Sequence, residues 1–175
     1  GTGGEQGAQA PLVEAPGANV WFLLFHQNRP GGACVELRRA MCGILAFHDV
    51  VRATIGRFAV PAEGLIPPGI FGHDPNRRSP AASHEQIREW LAASAPHSKL
   101  TALASFGFQH RHQKLVETML SLWSDYGIDV VLRDASDTDE RAYEQTVDEA
   151  DIYFGGWAGD YLDPDAFTYA LFHSE

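Results

Sequence analysis

Four short apolar runs, at 20–25, 100–106, 129–133 and 152–157, are separated by longer stretches patterned for helices. Runs of this length bounded by turn residues read as buried strands, and strands alternating with helices call for βαβ units. The expected fold is therefore α/β: a layered sheet of about four strands with helices on both faces. Val20–Phe25 is apolar throughout, which suits a strand at or beside the centre of a doubly covered sheet. With 175 residues the chain has room for one sizeable core.

The intervening segments fill in the organisation. Residues 1–18, rich in Gly, Ala and Pro, read as a flexible lead, and 19–175 as a single lobe. Residues 35–57 read as helical with a break near 46–48; Leu37, Ala40, Met41, Ile44 and Leu45 form the apolar face, and Gly56 is the stop. Cys42 in that run is expected as a small core residue. Cys34 lies eight positions earlier, ~12 Å away along a helix and too far to bridge. From 58 to 82 there is no periodicity but there are five prolines, which implies a functional loop or one held against another body. Ser83 with Gln86 forms a candidate capping box, Gly127 closes a helix over 109–126, and 138–150 reads as an acidic helix.

Composition narrows the function. A net charge of −10 argues against a nucleic-acid surface, and no apolar run reaches the ~18 residues a membrane span needs. The first residues show neither a charged nor an apolar leader region, so an export signal would have to lie upstream. His110-Arg111-His112 places its imidazoles at i and i+2, which face apart on a helix, so a solvated first turn is the expectation. The other histidines, among them His26 and His48, lack ligand spacing, and neither a metal site nor a cofactor is expected. No nucleophile–base motif occurs, and the expected role is non-enzymatic.

Chemistry concentrates near the C-terminus, in Gly155-Gly156-Trp157-Ala158-Gly159-Asp160-Tyr161-Leu162-Asp163-Pro164. Two glycines let the backbone leave a strand at close quarters, and an indole and a carboxylate follow three residues apart. Together they suit a small organic cation: apolar area and a negative π face from one, a counter-charge from the other. Asp163 before Pro164 reads as a turn or N-cap group. The second strand end, Phe106-Gly107-Phe108-Gln109, is the other candidate edge, because ligands gather outside the carboxyl ends of strands. On residue type alone, Trp157 also suits a core or interlobe tryptophan.

The same segment resembles the "W-x-x-D-x-x-D-P-x-x-F" stretch of the oligopeptide/dipeptide/nickel-type solute-binding proteins of ABC importers. Val35-Glu36-Leu37-Arg38-Arg39-Ala40 resembles that family's "V-R-x-A" helix, and 61–70 its loop "P-A-x-G-x-I-P-P-G". Gly127-Ile128-Asp129-Val130-Val131-Leu132 is similar to its "G-I-x-V-x-L". The resemblance implies part of the second lobe of a type II periplasmic binding fold. It makes Asp160 the counter-ion of a peptide's N-terminal ammonium and Trp157 its stacking wall. Gly156, Tyr161 and Phe108, at the same two strand ends, are the further ligand-binding candidates. Implied partners are a peptide or small-molecule ligand, a first lobe and an ABC permease, in the periplasm or at the cell surface.

Departures from the family are His26, where relatives carry Asn, and Leu45-Ala46-Phe47 in place of "I-D-R". They motivate the alternative of a cytoplasmic ligand-sensing module fused to a DNA-binding or kinase domain. Family members are over twice this length, so a fragment is expected. Apolar residues in 58–82 and in Phe167, Tyr169, Leu171 and Phe172 then lead us to expect self-association.

Overall fold

The computed structural model describes residues 17–94, 99–133 and 146–173. Along the chain run β1 (Asn19–Phe25), α1 (Pro30–Ala33), α2 (Val35–Leu45), α3 (Phe47–Thr54), a 3-10 turn (Gly56–Phe58) and α4 (His84–Ala93). There follow β2 (Leu100–Ala104), α5 (Phe106–Asp125), β3 (Val130–Arg133), β4 (Ile152–Ala158) and α6 (Asp165–Phe172). The expected acidic helix falls mostly outside the described residues; its last turn, 146–149, is helical. The expected lead, 1–16 of it, lies outside them too.

The strands form one sheet in the order β1-β4-β2-β3. β2 is parallel to both β3 and β4, as βαβ units require. β1 lies beside the central β4 but runs antiparallel to it, from Asn19 opposite Ala158 to Phe25 opposite Ile152. It is thus an edge strand, and Leu24 is 47% exposed, so full cover on both faces does not hold there.

Strand alternation sorts the side chains onto two faces. Trp21, Leu23, Phe25, Ile152, Phe154, Ala102 and Ala104 meet the helices of the main core. Against them pack Leu37, Met41 and Ile44 of α2, Val50 of α3, Ile87 of α4, and Phe108, Val116, Met119 and Trp123 of α5. The Trp123 indole N–H, fully buried, donates to the Met41 carbonyl at 3.0 Å and fixes α5 against α2. On the opposite face Val20 and Trp157 pack with Ile66, Ile70, Ala166 and Phe167 in a smaller cluster.

Local signals account for most boundaries. Ala46 (φ 39°, ψ 59°) takes a left-handed conformation between α2 and α3, the break expected at 46–48. Ser83 and Gln86 form the reciprocal capping box of α4, and Gly127 follows α5 at φ 79°. Cys42, expected inside, is exposed. It sits one position, about 100° of helix, past the buried Met41, which turns it off the apolar stripe.

The long segment after the 3-10 turn is a strap fastened at several points. Glu63 accepts from His48 Nε2 at 2.6 Å and from the Ser79 N–H at 2.7 Å. His73 Nδ1–H donates to the Ile66 carbonyl at 2.8 Å. Ile66 and Ile70 then reach the smaller core. Phe58 at the end of the turn and Val60, Leu65 and Phe71 of the strap stay exposed, so only part of the apolar content of 58–82 is buried in the chain.

At the end of the sheet where β1 finishes, Asp151 is the one buried charged residue among those described (6% exposed). Its Oδ2 accepts from the Thr101 N–H at 2.9 Å and hydroxyl at 3.0 Å, and Arg29 Nε approaches Oδ1 at 3.6 Å. Asp151→Ala strips the Thr101 amide and hydroxyl of their acceptor and Arg29 of its counter-charge. A loss of ~1.5–3 kcal/mol is expected, the range for hydrogen bonds to a charged group. Urea denaturation checks this, and a change below ~0.5 kcal/mol would show that water replaces the carboxylate at no cost.

Candidate functional site

β2 and β4 are parallel, so their carboxyl ends share one edge of the sheet. β4 leaves that edge through Gly159, whose N–H donates to the Ala18 carbonyl at 3.0 Å. A Cβ on Gly159 would lie 2.7 Å from the Phe167 ring, so the chain can turn there only without a side chain. Asp163 Oδ1 then accepts the Asp165 N–H at 2.9 Å, the expected turn before α6. Trp157 is half-buried against the smaller core, and its indole N–H donates to the Ala166 carbonyl at 2.7 Å. Its ring is thereby held by α6, leaving part of it at the surface.

Asp160 stands on this fixed turn, exposed, and among the described residues its side chain makes no hydrogen bond or ion pair. Tyr161, 53% exposed, donates its hydroxyl to Asp165 Oδ2 at 3.3 Å. That hydroxyl titrates above the usual tyrosine range, first through partial desolvation, then through the carboxylates of Asp165, Asp163 and Asp160. The turn is therefore a spot of negative potential that follows three residues after an indole. It favours a cation, in particular an ammonium, which supplies the donors that an exposed carboxylate lacks.

Trp157 near the end of β4, and Asp160 and Tyr161 on the turn after it, thus all lie at this strand exit. Phe108 does not join them: it is 2% exposed, in the main core on the opposite face of the sheet. The apolar side of α5 packs on the sheet, and the Phe108 ring is spent on Trp21 of β1 (5.4 Å between centroids) and Phe154 of β4 (5.7 Å). Gly156 is exposed, yet its missing Cβ faces the Trp21 indole, 2.2 Å from where that atom would be. Its glycine is required by Trp21, on the face away from Trp157.

His112 departs from expectation. His110 and Arg111 are exposed, as a solvated turn requires, but His112 sits at a kink in α5 (φ −127°, ψ 31°). Its ring is wedged edge-on against Trp21 (5.0 Å) and Phe108 (5.3 Å), with Nε2 buried and unpartnered. No periodic signal marks such an insertion, because the helix pattern continues on both sides of the kink. Desolvation first, then Arg111, lowers its pKa below 6.5. A neutral imidazole is thus favoured in the fold, and this contribution is complete above pH 6.5 and lost as pH falls through the lowered value. Glu63, held at about 2 by His48 first and Ser79 second, acts in the same direction at lower pH, below its ordinary 4.5. Thermal melts from pH 7.5 to 5 should therefore fall more steeply for the natural chain than for His112→Leu; parallel curves would remove His112 from the acid response.

Among the described residues no group of three or more His, Cys, Asp or Glu is placed to hold a metal ion. None of their helices is long and apolar enough to cross a membrane.

The model for bacterial extracellular solute-binding proteins, family 5 (middle region), matches residues 3–175. The chain belongs to this family. It is 23% identical over 168 residues to the dipeptide-binding protein of Escherichia coli (strain K12), covering 92% of this chain and 31% of that protein. Among solved structures it is similar to the murein tripeptide-binding protein of Escherichia coli, at 24% identity and a TM-score of 0.70 over 89% of this chain and 32% of that one. It is also similar to the ABC transporter-associated periplasmic binding protein DppA from Helicobacter pylori in complex with peptide STSA. There the identity is 23% and the TM-score 0.74, over 89% of this chain and 30% of the other. The chain thus spans about a third of the length of these relatives. The fold is the periplasmic-binding-protein type II lobe that the sequence motifs imply.

Proposed function

We propose that this chain supplies one wall of a peptide-binding cleft in an extracytoplasmic solute-binding protein that serves an ABC importer. The carboxylate of Asp160 pairs with the ligand's N-terminal ammonium, the exposed part of the Trp157 ring packs on the adjoining peptide backbone, and Tyr161 borders the site. The observation that carries this reading is the exposed Asp160, unpaired among the described residues, on a turn fixed three residues after an indole held by Ala166. Three features support it: the negative potential around Tyr161, the position at the carboxyl ends of the parallel strands, and the peptide-binding relatives.

The remaining walls come from a first lobe, as expected for a ligand enclosed between two bodies. Binding by this lobe alone is weak, because the ligand stays half-solvated. The test is a thermal-shift screen of the full-length protein against di-, tri- and tetrapeptides with free termini. A rise in melting temperature with at least one class is expected, and Trp157→Ala should reduce it. If no peptide shifts the melt while another solute class does, peptide is the wrong ligand.

A further inference from the structure

We propose that the surface around the end of α3, formed by Arg52, Arg57, Phe58 and Val60, docks an acidic, apolar segment of a partner protein. Arg52, Arg57, Val60, Pro61, Gly56, and His48 line a depression of about 450 Å³. Arg52 makes no hydrogen bond or ion pair among the described residues. Phe58 is 80% exposed and Val60 73%, and the Arg57 guanidinium lies over the Phe58 ring at 5.2 Å from its centroid. Apolar side chains this open, next to cations, make a surface with both a desolvation gain and a charge preference on offer.

Charge complementarity selects the partner. The depression is lined by two arginines and a histidine and by no carboxylate, in a chain whose net charge is −10. Of the three carboxylates in 48–82 (Asp49, Glu63 and Asp74), Glu63 already accepts from His48 and Ser79 and so opposes an incoming anion less than a free one would. The same contacts fasten the strap to α3, and Gly56 at φ 69° fixes the turn that presents Arg57 and Phe58. The patch is therefore pre-organised, which reduces the ordering cost of docking. Its basic groups line a hollow. A hollow receives a projecting Asp or Glu side chain flanked by apolar neighbours better than it meets a flat lipid surface. This inference does not depend on the cleft reading.

The test uses the full-length protein and a fluorescein-labelled peptide of alternating Glu and Leu with one central Phe. Both ends are blocked, so that Asp160 has no ammonium to engage. Saturable, salt-sensitive binding is expected, weakened at least tenfold by R52E/R57E and also by Phe58→Ser. It should be unchanged by Asp160→Asn and by Lys99→Glu, a charge reversal in the surface pair with Asp129. Circular-dichroism melts confirm that each variant is folded. The proposal is overturned by a Gln-for-Glu peptide that binds equally, or by R52E/R57E that binds as the natural chain does. It is equally overturned if phosphatidylglycerol vesicles but not the peptide are bound, or if the patch proves in sedimentation to pair two copies of the chain.

Discussion

Gly32→Ala should cost ~3 kcal/mol or more and leave little folded protein, the upper end of what overpacking does to a rigid site. A Cβ at this position would lie 2.1 Å from the His26 carbonyl oxygen, 2.6 Å from its carbon and 2.9 Å from its nitrogen. All three are backbone atoms, so no side chain can swing away. That backbone is itself committed: the His26 N–H donates to the Asp151 carbonyl at 2.9 Å, and the His26 carbonyl accepts from Arg29 at 3.0 Å. Gly31 is equally confined, by Leu100 and the Asp151 carboxylate, so α1 cannot shift toward the sheet to make room. Gly107→Ala is the control, because its Cβ would meet nothing within 4 Å and it lies in α5. It should be neutral or stabilising by up to ~1 kcal/mol. Urea denaturation of the two variants checks the contrast; a Gly32→Ala loss below ~1 kcal/mol would show that the β1–α1 turn is compliant.

Asp160→Asn in the full-length protein should weaken a peptide with a free N-terminus by ~2–5 kcal/mol, the range for removing one member of a desolvated charge pair. In affinity that is roughly thirtyfold to several-thousandfold. Asn keeps the shape of the side chain and leaves the turn intact, since the bonds that fix it come from Gly159, Asp163 and Trp157. What is lost is the charge, and the ligand's ammonium is then left in a closed cleft without its counter-ion. Asp163→Asn provides the comparison. That carboxylate accepts the Asp165 amide, which an Asn oxygen does equally well, so affinity should change by less than about tenfold.

Much of this architecture was legible in the chain because its signals are local. The four apolar runs, the capping box at Ser83 and Gln86, the glycine after α5 and the break at Ala46 each act within a few residues. The remaining features depend on contacts distant in sequence. β1 reads as a doubly covered strand because it is apolar throughout, yet its antiparallel pairing with β4 is decided by residues 127 or more positions away. Phe108 lies just past the end of β2 and Trp157 close to the end of β4, and only packing tells them apart: one ring fills the space under Trp21, the other is caught by a helix carbonyl. Gly156 was expected beside the ligand. Its glycine answers to the Trp21 indole across the strand pair, a cross-strand neighbour that no local pattern reveals. Trp157, Asp160 and Tyr161 are legible as candidates because all three lie within five consecutive residues of one strand exit.

Isothermal titration of the full-length protein with a peptide and its N-acetylated form, each against the natural chain and Asp160→Asn, decides the cleft reading. The ammonium and the carboxylate should be coupled. Acetylation should weaken binding strongly in the natural protein and little in the variant, leaving an interaction energy of ~2 kcal/mol or more in the cycle. Independent losses, with acetylation costing the same in both proteins, would show that Asp160 does not pair with the ligand's amino terminus and that the cleft lies elsewhere on the lobe.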